Sequence, residues 1–138
     1  MKNIVARLLA GLLVALIAAS LPLAALAGSG SWSTQASGLM VAMSDRASES
    51  QALSPPALAE VQRGRIERVN WRFEAPPGAA IRAWLCHPER CVALDGQRGS
   101  VTGLAGLSAG APLAFRFALA PHQRPVQVKG LHVIVNYQ

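Results

Sequence analysis

The chain has 138 residues, 51% of them apolar, and carries 13 lysines and arginines against 7 acids for a net charge of +6. That is about one domain's length, too short to hold a catalytic domain beside a cofactor domain. Much of the apolar share sits at the N terminus, and after Ala27 no run of about 18 uncharged apolar residues remains to span a membrane.

Residues 1–27 have the form of a cleaved signal peptide. Lys2 and Arg7 make a basic start, Leu8 to Ile17 is an apolar run with a single glycine, and Pro22 breaks any helix. Ala25-Leu26-Ala27 then supplies a small-x-small cleavage site. Cleavage leaves one domain, residues 28–138, and removes Lys2 and Arg7, so the net charge falls from +6 to +4. The remaining arginines and Lys129 are spread from Arg46 onward rather than gathered into a patch. A nucleic-acid interface would need such a patch with stacking aromatics on the same face. Spread arginines suit acidic protein partners, a polyanionic wall or plain solubility.

Along the mature chain, Gly28 to Ser33 is a small, polar entry carrying Trp32. Leu39 to Met43 is a short apolar run and a candidate strand. Ser44 to Pro56, serine-rich and ending in two prolines, reads as a long loop. Pro56 to Gln62 has room for a short helical turn at most. Val69, Trp71 and Phe73 alternate with Asn70 and Arg72, the period of a half-buried strand. Ile66 is out of phase with them, which predicts a bulge near Glu67 and Arg68. Ala75-Pro76-Pro77-Gly78 is a turn. Ile81, Ala83 and Leu85 then share one strand face, with Arg82 and Trp84 on the other.

The chain turns over Cys86 to Cys91, returns through Leu94, and turns again at Asp95 to Gly99. Ser100 to Leu104 is short and β-prone, and Gly103 to Pro112 is a glycine-rich loop. Leu113, Phe115, Phe117 and Leu119 give the cleanest alternation, ended by Pro121 to Pro125. Leu131 to Tyr137 closes the protein with Val133, Val135 and Tyr137 on one face. About seven short strands with close turn signals and no amphipathic helix predict an all-β fold, an antiparallel β-sandwich. A small β-barrel is the alternative.

Cys86 and Cys91 are an even count behind a leader, which reads as a disulfide formed in an oxidising compartment. Four intervening residues fit a hairpin tip, and so short a ring contributes only about 2 kcal/mol. The alternatives are a metal site through Cys86, His87 and Cys91, or free thiols. Zinc commonly wants tighter cysteine spacing and a fourth ligand, and adjacent residues on a strand point to opposite faces.

Signs of catalysis are weak. His87, His122 and His132 are not spaced as metal ligands, and no nucleophile elbow, paired carboxylates or phosphate loop stands out. No enzyme activity, cofactor or metal is expected. Of the aromatics, Trp71, Phe115 and Phe117 fall on core faces. Trp32 either plugs a sheet edge or engages a partner. Trp84 either packs on the disulfide or under the Gly103–Pro112 loop, or stands exposed beside Arg82. Tryptophan and arginine are enriched at interface hot spots, so Trp32, Arg82 and Trp84 are the candidate partner-binding residues.

In order and spacing, these landmarks resemble the flagellar protein FlhE family. They are the leader, Gly30-Ser31-Trp32, Val69-Asn70-Trp71-Arg72-Phe73, Ala83-Trp84-Leu85-Cys86 with Cys91 five residues on, the stretch from Gly103 to Phe117, and the terminal Val135-Asn136-Tyr137. The resemblance spans nearly all of the mature chain except Ser44 to Pro56. It implies a periplasmic, non-enzymatic β-sandwich that acts as an accessory or chaperone factor of flagellar assembly. Its partners would be rod and hook subunits or the export apparatus, with premature polymerisation prevented and proton leak limited. Strand-edge capture of a flexible subunit terminus is a mechanism consistent with an all-β chain. The rival readings are a carbohydrate- or peptidoglycan-binding module using Trp84 or Trp32, a structural subunit of the flagellar rings, and a small enzyme.

Overall fold

The structure is a computed structural model and describes residues 29–57, 61 and 63–138. The leader expected over residues 1–27 lies outside the described residues, as does much of the turn expected between Pro56 and Gln62. The described residues form nine strands and no helix. These are β1 (Gly30–Ala36), β2 (Leu39–Val41), β3 (Ser48–Glu49), β4 (Ile66–Glu74), β5 (Ile81–His87), β6 (Arg90–Leu94), β7 (Arg98–Val101), β8 (Ala114–Leu119) and β9 (Val126–Tyr137). They pair into two antiparallel sheets that do not close into a barrel. Sheet one runs β1-β9-β4-β7, with β2 also on β9, and sheet two runs β3-β8-β5-β6.

Alternation explains which faces meet. Val69, Trp71 and Phe73 of β4 are buried, as are Phe115 and Phe117 of β8. Across the gap between sheets the Phe73 ring meets Phe117 edge-on at 4.9 Å and Phe115 at 6.1 Å between centroids. Ile66 is also buried although out of phase. A register shift against β9 between Ile66 and Arg68 turns it inward, and this is the expected bulge. A second shift lies between Arg72 and Glu74.

Three stretches differ from the sequence reading. The polar entry Gly30–Ala36 is a full strand, because β9 supplies a partner for each of its residues from Tyr137 to Leu131. Ser44 to Pro56 is not a free loop. Its β3 pairs with β8, the Ser50 N–H donates to the Phe115 carbonyl, and Leu53 is fully buried in a bridge to Leu113. It acts as a strap that satisfies the edge of β8. Arg98 and Gly99, expected in a turn, are strand residues of β7 opposite Arg72 and Trp71.

Glycine matters most at Gly38, between β1 and β2. A Cβ there would sit 2.6 Å from the Val128 carbonyl oxygen, a backbone atom that cannot swing aside. At Gly130 a φ of +64° lets β9 bend while continuing as one strand.

Candidate functional site

The outer face of sheet two carries Trp84. Its neighbours buried on the core side are Ala83 and Leu85, so Trp84 faces away and stays half-buried. Arg82, two residues earlier on the same face, places its guanidinium 5.7 Å from the Trp84 ring centroid, in cation–π range. It also donates through Nη2 to the Ser44 carbonyl at 2.7 Å, so the strap anchors it. Across the ladder Trp84 faces Arg116 on β8, which donates to Glu49 of β3 at 3.0 Å. The structure therefore gathers Arg82, Trp84 and Arg116 into one exposed patch. Arg116 went unrecognised in the sequence because cross-strand register is not written in either strand alone.

Trp32 is not part of that patch. It is 4% exposed, and its Nε1–H donates to the Ala109 carbonyl at 2.9 Å. The ring plugs the end of the sandwich beneath the 102–112 loop rather than presenting a contact face. That loop is also held by backbone bonds to the start of β4. The Ile66 N–H donates to the Leu107 carbonyl, the Ile66 carbonyl accepts from the Gly106 N–H, and the Gly64 carbonyl accepts from the Ala109 N–H.

The structure joins Cys86 to Cys91 in a disulfide across β5 and β6, which removes both as metal ligands. His87, beside it, is 6% exposed. Its Nδ1 accepts the Glu89 N–H at 3.1 Å, so Nε2 carries the proton and donates to the Ser108 carbonyl at 3.1 Å. His87 is thus a structural tie between the disulfide tip and the same loop that Trp32 holds. Among the described residues no group of three or more His, Cys, Asp and Glu is placed to hold a metal ion, and no helix is long and apolar enough to cross a membrane.

The sheet edges are the other candidate surface. β1 ends sheet one, and among the described strands none pairs with its outer edge. Natural edges are usually blunted by charge, proline or brevity. The seven residues of β1 contain neither a charge nor a proline. The other three terminal strands are guarded, since β3 has two residues, β6 begins at Arg90, and β7 begins at Arg98.

Comparison with known proteins adds the family. Residues 38–138 match the family described as Flagellar protein FlhE. The chain is 36% identical to Flagellar protein FlhE of Yersinia enterocolitica over 125 residues, covering 86% of this chain and 87% of that one. It is 33% identical to the Escherichia coli K12 protein of that name over 117 residues, covering 81% and 88%. A solved structure titled Crystal Structure of FLHE superposes with a TM-score of 0.71 at 33% identity, covering 81% of this chain and 99% of that one.

Proposed function

The chain belongs to the Flagellar protein FlhE family, and from that premise we propose that it is a periplasmic accessory factor of flagellar assembly. In this reading it holds rod or hook subunits so that they do not polymerise prematurely, and it limits proton leak through the export apparatus. Residues 1–27 serve as the cleaved leader and residues 28–138 as the working domain. The Cys86–Cys91 disulfide accords with an oxidising compartment. Binding, not catalysis, is the assigned activity.

One observation carries the mechanism. Among the described strands none pairs with the outer edge of β1, and β1 carries no charge or proline, which suits strand addition by an extended segment of a subunit. Backbone hydrogen bonds would supply affinity, and the exposed side chains of Ser31, Ser33 and Gln35 would meet alternate partner residues. The test is a pull-down from periplasmic extract on the immobilised, oxidised protein, repeated with proline placed in turn at Ser31, Ser33 and Gln35. Recovery of rod or hook subunits, lost on proline substitution in variants that still fold, is expected. Undiminished recovery by every folded proline variant refutes edge capture.

A second reading has its own observation. Trp84 lies on an open sheet face between Arg82 and Arg116, an arrangement that also suits stacking on a sugar of the cell wall. Retention on purified cell wall that Trp84→Ala abolishes would favour it.

A further inference from the structure

The outer face of sheet one carries cationic side chains on β4 and β7 that neither the edge mechanism nor Trp84 uses. Arg98 on β7 is the direct cross-strand partner of Arg72 on β4, and Arg72 is the direct partner of His132 on β9. His132 in turn faces Gln35 on β1. Direct partners in an antiparallel ladder share a face, with Cβ atoms about 5 Å apart. Trp71 and Phe73, on either side of Arg72, are buried, so this row points outward.

Such a row is costly to fold, because like charges placed directly opposite destabilise a sheet. No carboxylate among the described residues forms an ion pair with this row. Among the described residues the one ion pair joins Arg116 to Glu49 on the other sheet. Glu74 lines the smaller adjoining cleft with Arg72, Arg98 and His132, but it makes no ion pair with them. Its own ladder partner is Lys129.

The row borders an open cleft of about 580 Å³ whose floor includes Asn70, Gly99 and Ile134. Two guanidinium forks thus sit beside an apolar side chain and a primary amide. Guanidinium forks match carboxylates in bidentate geometry. Ile134 can take a neighbouring apolar side chain, and the Asn70 amide can pair with a peptide backbone.

We infer that this cleft is a carboxylate-binding site, with Arg72 and Arg98 as its anchors, that takes an acidic segment of a protein partner in which apolar residues flank the acids. The anchors Arg72 on β4 and Arg98 on β7 are separated from β1 by β9, and the proposal does not rest on the edge mechanism. At neutral pH the two arginines carry the charge. His132 has its pKa lowered from 6.5, first by burial and second by the Arg72 charge. A bound carboxylate would offset that repulsion, so affinity should strengthen as the solution is acidified through the range of His132. The charged or polar groups facing His132 are Arg72 and Glu74 of β4, Arg98 of β7 and Gln35 of β1, with Lys129 three residues before it on β9.

The experiment is an NMR titration of the ¹⁵N-labelled protein with a short capped peptide of alternating glutamate and leucine. The same peptide with glutamine for glutamate, and inorganic phosphate alone, are the comparison probes. Shift changes should centre on Asn70, Arg72, Arg98 and His132. Arg72→Gln and Arg98→Gln, both at exposed positions, should each weaken binding about tenfold or more while the spectrum stays folded. Equal binding of the glutamine peptide, unchanged affinity in both variants, or shifts centred elsewhere would overturn the proposal. Saturable binding of phosphate at this row with none of the glutamate peptide would overturn the peptide assignment in favour of a phosphate-bearing ligand.

Discussion

Replacing Trp32 separates the two roles a tryptophan near the mature N terminus can have. Its ring is 4% exposed, and its Nε1–H donates to the Ala109 carbonyl at 2.9 Å. Trp32→Ala removes a large buried ring at a site where β1, β9 and the 102–112 loop meet. Such truncations cost about 3–5 kcal/mol, a large fraction of the roughly 5–15 kcal/mol that holds a domain folded. Trp32→Phe keeps most of the ring but strands the Ala109 carbonyl, a loss of about 1–3 kcal/mol. Urea denaturation followed by far-ultraviolet circular dichroism measures both, and the order of stability should be wild type, then Trp32→Phe, then Trp32→Ala. If Trp32→Ala unfolds within about 1 kcal/mol of wild type, the usual surface range, the ring is not a core plug. The partner-contact reading of Trp32 would then return.

Four further outcomes are expected. Gly38→Ala should destabilise by about 1–3 kcal/mol in chemical denaturation, since its Cβ would press on the Val128 carbonyl oxygen at 2.6 Å. Arg72→Gln or Arg98→Gln should raise the melting temperature, because each relieves a like-charge pair worth about 0.2–1 kcal/mol. His132 has a folded-state pKa below its unfolded value of 6.5, so the unfolded chain binds its proton first as pH falls. Stability should therefore drop on acidification below pH 6.5, with His132→Gln flattening that drop in denaturation curves taken across the range. Reduction of Cys86–Cys91 by dithiothreitol should lower stability by about 2 kcal/mol without unfolding the protein, as read by thermal melting.

The β-sandwich was legible in the sequence because its central strands are amphipathic by themselves. Phe115 and Phe117, or Val69, Trp71 and Phe73, announce a buried face from either side of a polar residue. Even the bulge showed, since Ile66 broke the phase. β1 did not show, because Gly30-Ser31-Trp32-Ser33-Thr34-Gln35-Ala36 has no apolar alternation. Its strand form comes from pairing with β9, far along the chain. The Ser44–Pro56 strap was illegible for the same reason. Its order rests on backbone bonds to β8 and on the single buried Leu53.

Site residues follow this rule too. Arg82 and Trp84 share a strand face two residues apart, so the sequence pairs them. Arg116 opposite Trp84, and Arg98 opposite Arg72 opposite His132, are products of register. Register is fixed by which faces are buried and how the turns close, information spread over several strands at once. Trp32 carried the same hot-spot residue type as Trp84, and its burial and bond to the Ala109 carbonyl of the loop distinguish a plug from an anchor.

The central claim, that the free edge of β1 captures flagellar subunits, is tested most directly by photocrosslinking in flagellated cells. A photoreactive residue is placed at Ser33 on β1 and, in a second strain, at Ala93 on the exposed part of β6. The account predicts adducts with rod or hook subunits from Ser33 and few or none from Ala93. Adducts absent at Ser33, with subunits crosslinked at Ala93 instead, would contradict it.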